Sequence, residues 1–233
     1  MPEENTVTLI EEEQEKSIFR DRKRTNILHG AEQATIYFLV KRVPGFITPN
    51  ILTAIGTFGS LLVFISFLLA TYNHKTFLLL GVIGLVVNWF GDSLDGRIAY
   101  FRNIPRKWYG FSLDIINDWI GTVFIGMGYI VYAQDFYELL AFLFVVLYGW
   151  AMIITQLRYK ITDKYTIDSG LVGPTEVRVL IAAILIFEVL VSGSIKYFAA
   201  AMCLALFIIN IIDTRKLLKL GDQRDKQEKS NNI

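Results

Sequence analysis

The chain of 233 residues is 53% hydrophobic and 19% charged, with a formal net charge of +1 and a mean hydropathy of +0.43. Its apolar residues stand in blocks instead of at amphipathic spacing, and this is the composition of a membrane protein. A single cysteine, Cys203, excludes an intramolecular disulfide framework.

Six apolar blocks of about 20 residues are each long enough to cross roughly 30 Å of hydrocarbon as a helix. The sequence therefore predicts an all-α, polytopic membrane protein, with an interfacial helix or a plain linker within Ala31–Val43. Residues 1–34 are interpreted as a charged cytoplasmic extension, 35–212 as the membrane domain and 213–233 as a cytoplasmic tail. The six predicted transmembrane helices are Ile51–Thr71, Thr76–Asp95, Gly110–Tyr132, Glu138–Leu157, Gly173–Leu190 and Ile195–Ile212.

The basic residues are distributed very unevenly between the two sides of this predicted topology. If the six spans alternate, 21 of the 23 Lys and Arg residues lie on one side, and only Lys75 and Lys196 lie on the other. The positive-inside rule then places both termini in the cytoplasm.

Four aspartates stand where the second and third spans meet the cytoplasmic side. At about 100° per residue, Asp92, Asp95, Gly96 and Ala99 share one face of the second helix. Gly110, Asp114 and Asp118 follow at four-residue steps and share one face of the third. Because a carboxylate near hydrocarbon is costly, these acids indicate a functional site, and antiparallel helices can bring all four around one pocket.

Oxygen ligands in this number suit a hard divalent cation, Mg²⁺ or Mn²⁺. The only histidines, His29 and His74, are not near the cluster, which argues against zinc. Metals held in this way commonly neutralise a phosphate or diphosphate. Gly96 and Ala99 have little or no side chain, so a nucleotide could lie against the helix there.

These residues resemble the motif of the CDP-alcohol phosphotransferases, membrane enzymes of phospholipid synthesis. The first half of that motif has two aspartates three residues apart, and the second aspartate is followed by Gly, two residues of any type, Ala and Arg. After a gap of eight or nine residues, the second half has a Gly and two further aspartates at four-residue steps. The chain matches it in type and near-spacing at seven positions, from Asp92 to Asp118. The six-span layout and the Thr48-Pro49-Asn50 start of the first span extend the resemblance over most of residues 35–212.

The resemblance implies a reaction in which a phosphatidyl or other substituted phosphoryl group passes from a CDP-linked donor to an acceptor hydroxyl, and CMP leaves. It implies two metal ions on Asp92, Asp95, Asp114 and Asp118, with Asp118 also acting as the base. Gly96, Ala99 and Gly110 would give clearance to the nucleotide, and Gly110 would also allow close approach of the third helix. The expected partners are a CDP-linked lipid donor (most often CDP-diacylglycerol in the family), an alcohol acceptor, the bilayer and a second copy of the chain, with no nucleic acid.

Two points stay open at this level. Tyr100 stands where the family has arginine, and Arg102 is the candidate to replace it. Arg158, Lys160 and Arg178 are candidates for binding the acceptor, although all three also fit ordinary positive-inside residues. Inositol phosphate, glycerol phosphate, serine, simpler alcohols, and the donors CDP-choline and CDP-ethanolamine all stay possible.

Two other classes of function compete with the enzyme. A divalent-cation or proton-coupled transporter would also carry intramembrane acids, but nearer mid-bilayer. An inactive membrane scaffold would use the aspartates only to pair with Arg97, Arg102 and Arg106.

Overall fold

The computed structural model describes residues 29–133, 135–162 and 173–231. All regular structure within those residues is helical, as predicted. The α-helices are α1 (His29–Val40), α2 (Pro49–Tyr72), α3 (Leu78–Phe101), α4 (Lys107–Tyr132), α5 (Leu139–Thr162), α6 (Pro174–Leu190) and α7 (Ile195–Asn231). Two short 3₁₀ turns, Lys75–Phe77 and Asp135–Glu138, precede α3 and α5. Most of the predicted N-terminal extension, residues 1–28, lies outside the described residues.

Five helical segments in the described part of the chain are long and apolar enough to cross a membrane: Pro49–Tyr72, Lys75–Phe101, Lys107–Tyr132, Asp135–Thr162 and Ile195–Ser230. The remaining predicted span, Gly173–Leu190, corresponds to α6, which has 17 residues. At 1.5 Å per residue it is about 25 Å long, shorter than roughly 30 Å of hydrocarbon. The prediction of six full spans is therefore corrected to five long spans and one shorter helix, while the all-α polytopic class is confirmed.

The α6–α7 turn explains where α6 ends. Glu188, only 2% exposed, lies in the last turn of α6. Its carboxylate accepts hydrogen bonds from the backbone N–H groups of Gly193 and Ile195 and from the Tyr132 and Ser194 hydroxyls. Gly193 has a φ of +82°, a left-handed conformation that glycine adopts without strain. Glu188 is thus a structural residue of the turn.

Glycines join α2 and α3 into a tight antiparallel pair. A Cβ on Gly59 would overlap the backbone of Asn88 and Gly84, and one on Gly91 would overlap the backbone of Gly56 and Leu52. The small residues of α2 therefore allow α3 to approach closely, as small residues at helical spacing commonly do in membrane helices. This contact lies beside the end of α3 that carries Asp92 and Asp95.

The helix α1 covers this end of the α2–α3 pair. Ile36 and Val40 are buried against a cluster formed with Leu52, Leu94 and Ile98. The predicted domain boundary at residue 35 falls inside α1, because the helix begins at His29 and its apolar side packs on the membrane helices.

The last helix continues well past the predicted end of the membrane domain. α7 runs without interruption through Ile212 to Asn231, a length of about 55 Å at 1.5 Å per residue. Leu217 is buried, and Arg224 donates hydrogen bonds to the carbonyls of Lys160 and Ile161 at 2.9 and 2.6 Å. Residues 213–231 therefore extend α7 and pack beside the end of α5.

Candidate active site

The four aspartates lie on α3 and α4, close to the loop of residues 102–106 that reverses the chain between them. Asp92 and Asp95 belong to the last three turns of α3, and Asp114 and Asp118 to the first turns of α4. The antiparallel pair therefore brings all four to one end of the bundle, as the spacing predicts. Asp114 lines a large cavity together with Asp95, and a small one together with Asp92 and Asp118.

The large cavity has a volume of about 660 Å³ and opens between α2, α3, α4 and the 102–106 loop. Sites for small molecules commonly have volumes of about 300–1,000 Å³. The three residues expected to give clearance to a nucleotide, Gly96, Ala99 and Gly110, all line it.

The glycines of this cavity differ from those of the α2–α3 contact. A Cβ built on Gly96 or Gly110 meets no atom within 4 Å. Gly110 therefore faces open space, and the expectation that it allows close approach of the third helix is wrong. What both positions offer is room beside Asp95 and Asp114.

The small cavity is lined almost wholly by polar groups. Besides the three aspartates, its lining comprises Thr53, Gly56, Thr57, Asn88 and Asn117. The Thr53 hydroxyl donates to Oδ2 of Asp95 at 2.6 Å, and the Thr57 hydroxyl donates to Oδ1 of Asn117 at 2.9 Å. Hydrogen bonds from α2 thus orient the side chains of α3 and α4.

The chemistry of these donors fits a hard cation. The side chains that line the small cavity offer carboxylate, amide and hydroxyl oxygens, which Mg²⁺ and Mn²⁺ prefer. In the part of the chain that the structure describes, however, no group of three or more His, Cys, Asp and Glu side chains is already arranged to hold a metal ion. The ligand set Asp92, Asp95, Asp114 and Asp118 therefore stays a prediction that the donor types support.

A basic side chain from α6 lies against the acids. Nη2 of Arg178 is 2.6 Å from Oδ2 of Asp92 and 3.8 Å from Oδ1 of Asp118. The guanidinium side chain is 14% exposed, so the ion pair is largely shielded from solvent. Because Arg178 joins α6 to both α3 and α4, it is the one predicted acceptor-binding residue that contacts the aspartates.

The other two predicted acceptor-binding residues lie elsewhere. Nη2 of Arg158, on α5, is 3.3 Å from the Asp213 carboxylate on α7. Lys160 is exposed, and its backbone carbonyl accepts the hydrogen bond from Arg224. Neither residue lines the large or the small cavity. Glu176, in the first turn of α6, accepts a hydrogen bond from the Gly173 N–H at 3.0 Å and so caps the start of that helix.

Arg102 has a structural role. Its guanidinium donates to the carbonyls of Ile47 at 2.6 Å, Pro44 at 2.9 Å and Val43 at 3.2 Å, and so fixes the loop before α2 to the end of α3. These bonds argue against Arg102 as the replacement for the family arginine. They also argue against a scaffold in which Arg102 pairs with the aspartates.

Sequence reasoning missed the polar neighbours of the acids. Asn88 precedes Asp92 by one helical turn and donates to the Gly56 carbonyl and the Ser60 hydroxyl, both at 3.0 Å. Thr53 and Thr57 are themselves one turn apart on α2. The signal that could have revealed them is helical spacing, because polar residues four apart in an apolar span lie on the same face.

A third cavity lies on the α6 side of Asp118. Its lining includes Asp118 and Arg178 together with Asn117, Thr122 and Tyr148. Asp118 and Asn117 line the small cavity as well. Asp118 therefore lies between the polar centre of the site and a separate space beside Arg178.

The CDP-alcohol phosphatidyltransferase family matches residues 46–211, which is well over half of the 233-residue chain. No individual curated protein matches the chain significantly. The match includes every aspartate of the site, Gly96 and Gly110 of the large cavity, and Arg178. Together with the long apolar helices, it shows that the chain belongs to the CDP-alcohol phosphatidyltransferase family and is a membrane phosphotransferase of lipid synthesis.

Proposed function

We propose that the protein transfers a phosphatidyl group from CDP-diacylglycerol to an acceptor hydroxyl and releases CMP, with two Mg²⁺ or Mn²⁺ ions at the aspartates. The observation that carries this proposal is the position of Asp114, which borders both the nucleotide-sized cavity and the small polar cavity. A diphosphate held between these two spaces would lie beside all four carboxylates.

The nucleotide would occupy the large cavity, with its ribose and phosphates in the open space beside Gly96 and Gly110. Asp92, Asp95 and Asp114 would hold the metal ions. When bound, the ions would neutralise the diphosphate and stabilise the charge that builds on the attacking and leaving oxygens. The Thr53 hydroxyl would keep the Asp95 carboxylate in its orientation.

Asp118 would act as both ligand and base. The acceptor oxygen forms a bond to the β-phosphorus of the donor while the bond from that phosphorus to the bridging oxygen of CMP breaks. The proton of the acceptor hydroxyl goes to the Asp118 carboxylate. The position of Asp118 between the small cavity and the cavity beside Arg178 supports this role.

A lateral groove supports a lipid-linked donor. It runs between α2 and α4, shares Asn50, Thr53 and Leu113 with the large cavity, and continues along Phe58 and Phe124. Acyl chains attached to the diphosphate could lie in this groove and reach the bilayer sideways. With CDP-choline or CDP-ethanolamine the acyl chains would belong to the acceptor, but the groove adjoins the cavity proposed for the nucleotide, which favours chains on the donor and hence CDP-diacylglycerol.

The acceptor would enter the cavity on the α6 side. Arg178 offers a cation there, and Asn117 and Tyr148 offer polar atoms. Arg158 and Lys160 would contribute only if the end of α5 moved toward this cavity.

We also propose that both termini and the active site face the cytoplasm, in agreement with the distribution of Lys and Arg, and that the protein is a homodimer.

The test is CMP release by purified protein in lipid nanodiscs with Mg²⁺ or Mn²⁺. CMP should form from CDP-diacylglycerol only after an acceptor is added, and a panel of inositol phosphate, glycerol phosphate, serine and simple alcohols would identify that acceptor. Asp118→Asn should abolish CMP release but retain CDP binding. CMP release that the substitution leaves unchanged would contradict the role of Asp118. CMP release from CDP-choline with diacylglycerol as acceptor, and none from CDP-diacylglycerol with any acceptor of the panel, would contradict the donor.

A further inference from the structure

The wall of the large cavity lacks the arginine that the motif places after Ala99, because this chain has Tyr100 there. The diphosphate of a CDP-linked donor carries two negative charges and the four aspartates carry four more, so two divalent ions neutralise this set only in part. Three basic residues in the described part of the chain line the same cavity: Arg102, Arg106 and Lys107.

Two of the three are poorly suited to bind a phosphate. Arg102 already donates to the carbonyls of the loop before α2. The ammonium of Lys107 lies 5.2 Å from the centre of the Trp108 ring, and Trp108 is 65% exposed. A lysine ammonium group on an exposed ring is strongly hydrated, so the energy it would gain from binding a phosphate is largely offset by the loss of that hydration.

Arg106 differs from both because a side-chain hydrogen bond and a ring contact, both from the cavity wall, hold it in place. Its Nη2 donates to the amide oxygen of Asn50 at 2.6 Å, and its guanidinium lies 4.0 Å from the centre of the Tyr109 ring. Both partners line the cavity, and neither carries a charge that would cancel that of Arg106. The bond to Asn50 occupies one N–H of the planar fork, and the fork geometry of arginine matches phosphate oxygens.

We propose that Arg106 binds the diphosphate of the CDP-linked donor and supplies, from the start of α4, the positive charge that Tyr100 does not supply from α3. This inference rests on the proposed function. It assigns Asn50 and Tyr109 as positioning residues, which keep the guanidinium in place before the nucleotide arrives and so reduce the entropic cost of binding.

The experiment is titration of CDP, with Mn²⁺ present, into the purified protein in nanodiscs. Arg106→Gln should weaken CDP binding at least tenfold, and Arg106→Lys should lie between it and the unsubstituted protein because lysine keeps the charge but loses the fork. Lys107→Gln is the matched control, since it removes the same charge from the next residue, and it should change CDP affinity less than threefold. Introducing Tyr100→Arg into Arg106→Gln should restore most of the lost affinity.

The outcomes separate this proposal from the proposed function. CDP affinity within twofold of the unsubstituted value in Arg106→Gln, or equal losses in Arg106→Gln and Lys107→Gln, would overturn the assignment of Arg106 alone. If the unsubstituted protein binds no CDP, both proposals are wrong. The melting temperature of each variant, measured without nucleotide, shows whether it is folded, and the Tyr100→Arg rescue shows that lost affinity reflects lost charge.

Discussion

Gly96→Leu tests most directly whether the large cavity binds the nucleotide. A Cβ at Gly96 meets no atom within 4 Å and Gly96 lines the large cavity, so we expect a leucine side chain there to project into the cavity. We expect this variant to fold normally and to lose affinity for CDP, because the new side chain fills space that the nucleotide needs.

The expected magnitudes follow from the two environments. Leucine is favoured over glycine in a helix interior by up to about 1 kcal/mol, which offsets the cost of placing an apolar side chain in a polar cavity. Displacing a single charge-assisted hydrogen bond of the ligand costs about 1.5–3 kcal/mol. CDP affinity should therefore fall at least tenfold, since about 1.4 kcal/mol corresponds to a factor of ten.

The assay combines CDP titration with thermal unfolding of the protein in nanodiscs. Gly91→Ala is the contrasting control, because its Cβ would overlap the backbone of Gly56 and Leu52. Overpacking of this kind typically costs about 1–3 kcal/mol, so Gly91→Ala should lower the melting temperature where Gly96→Leu does not. Unchanged CDP affinity in a folded Gly96→Leu protein would refute the location of the nucleotide site.

Two further predictions concern buried charges. Arg178→Gln removes the cation that Asp92 and Asp118 share. Breaking a fully buried pair costs roughly 3–5 kcal/mol, and the cost here should be smaller because the two carboxylate side chains are 23% and 34% exposed. The melting temperature should fall, and Mn²⁺ should raise it more than in the unsubstituted protein. An equal effect of Mn²⁺ on both proteins would contradict the idea that cation and guanidinium neutralise the same carboxylates. Glu188→Gln replaces one carboxylate oxygen by an NH₂ group, which only donates, so two of the four hydrogen bonds at the α6–α7 turn lose their acceptor and the free energy of unfolding should fall by about 1–3 kcal/mol. Its kcat/KM should stay unchanged because about 15 Å of helix separates it from Arg178, and a large loss of kcat/KM would contradict a purely structural role.

The sequence predicts the aspartate cluster well because the relevant geometry is local. Asp92 and Asp95 share a helix face by spacing alone, and the short loop after α3 requires Asp114 and Asp118 to return beside them. The close contact at Gly59 is also local in this sense, since a stripe of small residues predicts that another helix approaches. The identity of that helix follows from the short hairpin connection.

The contacts of Arg178 and Arg102 could not be predicted in the same way. Arg178 contacts Asp92 across 86 residues of sequence, and this contact depends on how α6 packs against α3. Arg102 donates to backbone carbonyls more than fifty residues earlier in the chain. Every residue has a backbone carbonyl, so the sequence does not show which one will accept the bond. The extent of α7 was also underestimated, because Asp213 and Leu217 are buried by contacts made far away in the chain.

The glycine contact between α2 and α3 also limits how the protein can move. Backbones that lie this close leave no room for sliding, so the two helices should behave as one rigid wall during the reaction cycle. The helix α4 also packs closely on α2, with Gly121 against Ser60 and Gly128 against Phe67, so entry of a lipid substrate and exit of its product would depend on the lateral groove that runs along this contact. We therefore expect lipid to enter and leave on the α2–α4 side of the molecule, while the α2–α3 pair stays rigid.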